Sequence, residues 1–230
     1  MDIDVFIKGE IVDLCVPTID FAKNSAWYSW FNDEKITQHL EQGLFPNTPE
    51  KQVEFLSNVT DNRLVLIVTN KTIPLGVVSL SNINYFKKTA ELAVVINNKL
   101  DKRNSPYIAL EASALITNHG FLKFGLNRIE AGQAIALSAW QQRLELIGYR
   151  LEGIKKNGFI KGITITDSFF IASTKDDFEK ICSIRGKLWD SLDLMKNRIQ
   201  SIKKIISMSD QLSSYLLEKE NYYYNEIYNL

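Results

Sequence analysis

Three phrases of the sequence decide the fold: AELAVVI at residues 90–96, ALEASALITNHGFLKFGLNRIEAG at 109–132 and RLELIGYRLEG at 143–153. The first is rich in β-forming residues. The second has apolar residues at helical spacing and then changes to a strand pattern. The third indicates a helix that ends at Gly148 and leads into another strand. With their flanking segments, the phrases predict strand, strand, strand, long helix, strand, helix, strand and strand between residues 64 and 173.

The flanking segments complete the predicted sheet. Residues 3–16 alternate as a strand that is interrupted near its middle. The β-rich runs 64–70 and 74–86 are separated by a short loop, which is typical of a hairpin. Asn157 and Gly158 form a dipeptide that favours tight hairpin turns, so we expect the last two strands to meet there.

Two short helices are predicted before the second strand. Asp20 stands at the expected start of the first helix, and Thr48 followed by Pro49 is typical of the cap and first turn of the second. The sequence therefore predicts an α/β (α+β) protein with a mixed, mainly antiparallel twisted sheet and helices on both faces. We assign residues 1–176 to this domain and residues 177–230 to a helical C-terminal extension.

The extension carries a short heptad pattern, with apolar residues spaced 4, 3, 4, 3, 4. Two interpretations are open. The helix forms a dimer or binds a partner, or it packs on its own domain. The residues of the pattern are Leu188, Leu192, Met195, Ile199, Ile202 and Ile206.

Composition limits the classes of function. Lys plus Arg equals Asp plus Glu at 27 each, so no overall field favours nucleic acid or an anionic membrane. Cys15 and Cys182 lie far apart, which favours a reducing cytoplasm over a disulfide framework. The two histidines, His39 and His119, lie in no zinc-like spacing, so no metal is expected. No signal peptide and no membrane span are predicted.

The three phrases resemble the acyl-CoA N-acetyltransferases of the Gcn5-related superfamily. The runs LGVVSLSNINYFKKTAEL at 75–92 and YRLEGIKKNGFIKG at 149–162 are similar to its branch of ribosomal-protein and sugar-nucleotide N-acetyltransferases. They are most similar to the enzyme that acetylates a 4-amino sugar nucleotide in the pseudaminic-acid pathway. The resemblance covers about residues 5 to 175 and implies acetyl-CoA as co-substrate.

The resemblance implies a site for the co-substrate on residues 94–109. A splayed strand pairs its free backbone groups with the pantetheine arm, and the start of the long helix holds the pyrophosphate. Tyr107 stands where the family has its first glycine, and Asn104 stands where it has Gln or Arg. The alternative is that KRNSP at 102–106 is only a solvated loop. The expected contacts are Val94, Val95, Ile96, Lys102, Arg103, Asn104, Ser105, Tyr107, Ile108 and Ala109.

Glu91 is the candidate catalytic residue. It lies early in the predicted splayed strand, where family members with a catalytic carboxylate often place it, and a partly buried carboxylate there suits proton removal from an ammonium. The alternative is an outward-facing strand glutamate. Asp167 is expected to orient backbone or substrate. Leu144 stands where many members have an acid tyrosine; Tyr149 is the nearest substitute, although packing is the expected role.

Aromatic and polar residues beside the expected acceptor cleft suit a sugar nucleotide. For the tryptophans the alternative is a core stripe of a helix. The expected substrate-binding residues are Trp27, Tyr28, Asn82, Asn84, Phe86 and Lys88.

Three functions follow as hypotheses. The first is acetyl-CoA-dependent N-acetylation of an amino-sugar nucleotide. The second changes the acceptor to a protein N-terminus, as in ribosomal-protein acetylation. The third is a degenerate acetyltransferase fold that serves as a binding or assembly module.

Overall fold

A computed structural model describes residues 3–102 and 104–230. Within them a single sheet has the strand order β1-β2-β3-β4-β5-β6-β8-β7. Neighbours run antiparallel except β5 and β6, which are parallel, so the predicted mixed sheet is confirmed. The strands are β1 Val5–Lys8, β2 Asp13–Cys15, β3 Leu64–Thr69, β4 Pro74–Asn84, β5 Thr89–Ile96, β6 Arg128–Ala134, β7 Arg150–Lys161 and β8 Thr164–Thr174.

Among the described residues, four short helices lie before β3 where two were predicted. The helix predicted from Asp20 is interrupted at Ser25 and Ala26, and a further short helix follows it. The later helices follow the predicted order. Thr48 caps α4 by accepting the N–H of Lys51, as predicted. The first helix begins before Asp20, because Thr18 accepts the N–H of Phe21 and is the actual cap. The helices are α1 Ile19–Asn24, α2 Trp27–Trp30, α3 Glu34–Thr37, α4 Pro49–Ser57, α5 Ser105–Leu122, α6 Ser138–Glu145, α7 Lys175–Arg185, α8 Leu192–Ile202 and α9 Met208–Glu218.

Each face of the sheet carries its own hydrophobic core. On one face Ala90 and Leu92 of β5 belong to the cluster that includes the buried side of α5. On the other face Trp27 and Trp30 of α2 pack with Val77 of β4. Alternate residues of a strand point to opposite faces. Helices therefore cover both faces, as predicted, and Glu91 points away from α5.

Glu111 joins α5 to the start of the chain. Its carboxylate is 1% exposed and accepts the N–H groups of Glu10, Ile11 and Val12 at 2.5, 2.9 and 3.0 Å. Burial raises the pKa of Glu111, and the three hydrogen bonds act in the opposite direction. The Glu10 carboxylate in turn accepts Trp189 Nε1–H at 2.8 Å. The β1–β2 turn is thereby tied both to α5 and to the C-terminal helices.

The C-terminal extension packs on its own domain along the first part of its heptad pattern. Leu188, Met195 and Ile199 are 1%, 0% and 3% exposed and belong to the main core. Ile206, at the end of the pattern, is 72% exposed. The predicted division after residue 176 falls in the first turn of α7 and stays a prediction. A dimer or partner role for the remaining exposed residues also stays a prediction.

The predicted hairpin turn at Asn157 and Gly158 is wrong. β7 continues to Lys161 and the turn lies at Gly162, whose φ is 58°. Asn157 has a φ of 53° and lies where the β7–β8 register shifts, which identifies a bulge. A bulge uses the same left-handed conformation as a hairpin turn, so the dipeptide alone does not separate them. Asp167 Oδ1 accepts the N–H of Asn157 at 2.8 Å and orients backbone, as expected.

Candidate active site

The site is built where β5 and β6 part. The two parallel strands pair only at their starts, through Thr89 with Arg128, Ala90 with Ile129 and Glu91 with Glu130. β5 stays paired to β4 as far as Ile96, while β6 pairs with β8. One edge of β5 from residue 92 to 96, which includes the predicted contacts Val94, Val95 and Ile96, therefore has backbone groups free for an extended ligand.

The last paired rung, Glu91 with Glu130, forms the vertex of this splay. The two side chains lie on the face opposite α5 but differ in environment. Arg128 Nε–H donates to Glu130 at 2.6 Å, and the same guanidinium binds Glu152. Glu91 is exposed, which corrects the expectation of partial burial, because no element of the described chain covers this position. Among the described residues Glu91 has no ion-pair or hydrogen-bond partner for its carboxylate.

The predicted phosphate turn is closed on itself. Asp101 accepts the Asn104 N–H at 3.1 Å through Oδ1 and the Asn104 side-chain amide at 3.1 Å through Oδ2. The N–H of Ser105 donates to the Asp101 carbonyl, and that of Tyr107 to the Asn104 carbonyl. Pro106 has no N–H. The described amides that normally hold an anion at a helix start are thus already bonded, and a carboxylate stands among them.

The turn accordingly fits a pyrophosphate poorly in this conformation, while the open edge of β5 fits a pantetheine arm. The other predicted contacts are divided between surface and core. Lys102 is exposed and Ile108 is buried. Ala109 is half-buried, and Arg103 lies outside the described residues. Because the described amides of this turn are already bonded, the positive charge that would hold a phosphate must come from side chains.

Sequence reasoning missed Arg143 of α6. Its side chain is half-buried, and burial lowers its pKa while the nearby Tyr107 acts in the opposite direction. Among the described residues it has no hydrogen-bond or ion-pair partner for its guanidinium. Lys99, by contrast, is bound to Asp33. An unpaired guanidinium in a half-buried position is costly, which is the signal for a missing anion. Only the fold shows that Arg143 lies near Tyr107 in the first turn of α5.

Tyr149 is a core residue and not a general acid. It is 0% exposed, and its hydroxyl shares a 2.7 Å hydrogen bond with Thr117. Burial raises the pKa of Tyr149. The expected packing role is confirmed. Leu144 is 2% exposed and is likewise part of the core.

The predicted acceptor residues are not brought together in one place. Trp27 is 1% exposed and packs in the core, whereas Tyr28 of the same helix is half-buried. Asn84 Oδ1 accepts the N–H of Lys87 and so closes the β4–β5 turn.

The rest of that turn projects into solvent. Phe86 is 95% exposed, and Lys88 has a φ of 56°. Asn82 also has a positive φ, 50°, and lies in the register shift of β4. It lines a surface groove beside α4.

The tip of the β7–β8 hairpin contacts the end of α3. Lys161 Nζ donates to the carbonyl of Thr37 at 2.5 Å. Phe170 of β8 is 40% exposed, and the Arg128 guanidinium lies 5.9 Å from its ring centre. This hairpin therefore walls one side of the face on which Glu91 lies.

Two further properties concern only the described part of the chain. None of its helices combines the length and apolar character needed to cross a bilayer. None of its His, Cys, Asp and Glu side chains gather in groups of three or more that would suit a metal ion.

Solved structures with the same fold include acetyltransferases with bound cofactor. RimJ of Mycobacterium smegmatis with CoA-disulfide superposes with a TM-score of 0.63 at 16% identity, over 76% of this chain and 90% of that one. Spermidine N-acetyltransferase of Vibrio cholerae with CoA and spermine gives 0.63 at 15%, over 74% and 98%. The microcin C7 self-immunity acetyltransferase MccE with acetyl-CoA and AMP gives 0.58 at 21%, over 72% and 93%.

The sequence itself matches the family model of the acetyltransferase (GNAT) domain over residues 18–150, more than half of the chain. No curated protein sequence matches significantly. The match includes the splayed strand, the long helix and the helix that carries Arg143. The chain therefore belongs to the GNAT acetyltransferase family and is an N-acetyltransferase that takes its acetyl group from acetyl-CoA.

Proposed function

We propose that the protein acetylates the amine of an amino-sugar nucleotide. The observation that carries the chemistry is the vertex, where the Glu91 carboxylate is exposed and unpartnered among the described residues. The acceptor class is supported by the resemblance of residues 75–92 and 149–162 to the pseudaminic-acid pathway enzyme. It is also supported by MccE, a structure of the same fold that holds acetyl-CoA and AMP together.

Different residues of β5 bind the pantetheine arm and remove the proton from the acceptor. When bound, acetyl-CoA supplies an activated acetyl carbonyl. The free backbone edge at Val94, Val95 and Ile96 orients the pantetheine arm so that this carbonyl lies at the vertex. Glu91, directly or through one water, accepts a proton from the acceptor ammonium. The free amine then attacks the acetyl carbonyl carbon, the C–S bond breaks, and the departing CoA thiolate takes up the proton that the amine nitrogen loses. Arg128 binds both Glu130 and Glu152, which leaves Glu91 as the carboxylate that is free to accept a proton on this face.

Arg143 supplies the phosphate charge that the phosphate turn lacks. Arg143 lies near Tyr107 in the first turn of α5, where the amides of Asn104, Ser105 and Tyr107 are already bonded within the chain. An arginine binds two phosphate oxygens at once, so a single side chain can replace several amide contacts. Lys102, which is exposed beside the turn, adds a second positive charge.

A protein N-terminus is the second candidate acceptor. Three glutamates, Glu91, Glu130 and Glu152, lie around the vertex, and such an acidic surface attracts the ammonium of a peptide. The family assignment favours either enzyme over the hypothesis of a binding or assembly module.

Free-thiol release from acetyl-CoA tests the acceptor class. The panel consists of a 4-amino-sugar nucleotide, the same amino sugar without its nucleotide, and a peptide with a free N-terminus. The already acetylated form of each compound is the matched control, since it lacks only the reactive amine. We expect kcat/KM to be highest for the sugar nucleotide. A higher value for the peptide would overturn the first proposal in favour of the second.

A further inference from the structure

A polar groove of about 520 Å³ lies beside the vertex. It runs between the C-terminal half of α4, the loop that follows it and Asn82 of β4. α4 packs on the second core through Val53 and Leu56, so the groove lies on the face opposite α5. Glu91 points to that same face.

The lining combines positive charge with an aromatic ring. Arg63 lies over the Phe55 ring, with 5.6 Å between the guanidinium carbon and the ring centre. Two cationic side chains, Lys51 and Arg63, face one carboxylate, Glu54. Lys51 Nζ donates to the Pro46 carbonyl at 2.9 Å, which occupies one of its three N–H groups. Within the described residues Arg63 has no carboxylate partner, so its guanidinium is free for an anion.

Side-chain amides provide the remaining polar groups. Asn58, Asn62 and Asn82 line the groove. Asn62 Oδ1 accepts a hydrogen bond from Thr60 at 2.7 Å, which leaves its NH₂ group as a donor. Amide side chains bind hydroxyl groups and base edges, since each carries both a donor and an acceptor. A guanidinium, an aromatic ring and several amides together suit a nucleoside phosphate better than an apolar ligand.

The groove is within reach of the reacting amine. Ser81 pairs directly with Glu91, and Asn82 is the next residue of β4. Directly opposite residues of an antiparallel pair have Cβ atoms about 4.5 to 5.5 Å apart, and Asn82 is one residue beyond such a pair. Asn82 is held in its left-handed conformation by the register shift between Ser81 and Asn84, so its position relative to Glu91 is fixed by the sheet.

We propose that this groove binds the nucleoside-phosphate part of the acceptor, with Arg63 on the phosphate and Asn82 positioning the sugar toward Glu91. The inference rests on the proposed function and adds to it the residues that select the nucleotide. It also explains the role expected of Asn82 and places the phosphate at Arg63, away from Lys88 in the β4–β5 turn.

Calorimetric titration of the full chain with uridine diphosphate tests the groove. CoA is present at saturating concentration so that the nucleotide does not enter the cofactor site. We expect Arg63→Gln to raise the Kd by about tenfold, as the loss of one charged hydrogen-bonding group does. Phe55→Leu should raise the Kd for the nucleotide but not for inorganic pyrophosphate. Arg150→Gln, on an arginine whose side chain is 76% exposed at the other edge of the sheet, is the control.

The outcomes separate this inference from the proposed function. Binding that is weakened by Arg63→Gln but not by Arg150→Gln supports the groove, even if no sugar nucleotide is acetylated. An unchanged Kd in Arg63→Gln, or equal affinity for pyrophosphate and the nucleotide, overturns it. In the activity assay, Arg63→Gln should raise KM for the sugar nucleotide with kcat retained. It should leave acetylation of the free amino sugar unchanged.

Discussion

In the β5–α5 segment, one backbone edge of β5 is unpaired, whereas the backbone amides at the start of α5 are bonded within the chain. At the vertex the edge of β5 is open from Leu92 onward, and Glu91 has no partner among the described residues. At the phosphate turn the described amides are bonded within the chain, and Asp101 lies among them. The proposed chemistry and the proposed anchoring of acetyl-CoA therefore rest on different residues, so each can be tested without changing the other.

A third carboxylate, that of Glu111, is buried and can be compared with the carboxylate of Asp101 in the phosphate turn. Glu111 accepts three backbone N–H groups and is 1% exposed. Asp101 accepts the backbone N–H and the side-chain amide of Asn104. Asp101 and Asn104 lie nearer the solvent. Buried hydrogen bonds of a charged group cost much more to lose than exposed ones. We expect Glu111 to hold the fold and the Asp101 contacts to open when a phosphate arrives.

Replacing Glu111 should have the largest effect on stability, because its carboxylate holds the β1–β2 turn against α5. Glu111→Ala leaves three buried N–H groups without an acceptor. At about 1–3 kcal/mol each, we expect a loss of at least about 3 kcal/mol in the free energy of unfolding. Thermal unfolding should show a fall of roughly 6–12 °C in Tm. Glu111→Gln, which keeps one acceptor oxygen, should lose less. Equal Tm values for wild type and Glu111→Ala would contradict this structural role of Glu111.

The vertex is tested by Glu91→Gln. We expect kcat to fall by about 10²-fold, the usual range for loss of a general base, while KM for acetyl-CoA is retained. Glu179→Gln, on an exposed glutamate of α7, makes the same chemical change away from the site and is the control. A full rate for Glu91→Gln at every pH would remove Glu91 from the mechanism.

The phosphate turn is tested first through Arg143. Arg143→Gln should raise KM for acetyl-CoA by about tenfold, since it removes one charge-assisted phosphate contact. Acetyl-pantetheine, which has no phosphates, should be used equally well by both proteins. A matching loss with acetyl-pantetheine would show that Arg143 acts by packing and not by charge.

Asp101→Asn should have the opposite sign and a smaller size. The amide keeps an oxygen for the Asn104 N–H but removes the negative charge that faces an incoming phosphate. We expect KM for acetyl-CoA to fall a few-fold, about the effect of one partly screened charge. Stability should fall by about 0.3–1 kcal/mol, because a carboxylate at a helix start is favourable. A rise in KM would contradict the view that Asp101 competes with the phosphate.

The smallest effect is expected at Glu152, on the rim of the vertex. Its hydrogen bond to Arg128 lowers the pKa of Glu152. A lowered pKa in the folded state stabilises the protein above the unfolded pKa of about 4.3, and this contribution is lost as pH falls through the folded value. The side chain is 35% exposed, so solvent screening keeps the effect below about 1 kcal/mol.

Urea unfolding of Glu152→Gln measures this contribution. The midpoint should be lower than that of the wild type at pH 7, and the two should converge as the pH falls below the lowered folded-state pKa of Glu152. A difference that persists unchanged at low pH would show that Glu152 contributes by packing and not by its charge.

Much of the candidate site was predictable because its signals are local. The β-rich run around Glu91 and the Pro106 helix start identified the splayed strand and the long helix. The absence of glycine at Tyr107 showed that the phosphate turn departs from the family. The role of Arg143 was not predictable, since nothing near it in the sequence distinguishes a guanidinium without a partner from one in an ion pair.

The sequence by itself determined the order of strands and helices, the caps such as Thr48, and the altered phosphate turn. These depend on spacing within a few residues. Only the tertiary structure decided that Asn157 forms a bulge, that Arg128 occupies Glu130 but leaves Glu91 free, and that Glu111 is buried. The bulge and the burial of Glu111 depend on residues farther along the chain, as with Glu111 and Glu10, 101 positions apart. Arg128 and Glu130 are close in sequence, but Glu91, which the fold places beside them, is not. The same local pattern is compatible with either outcome until those partners are in place.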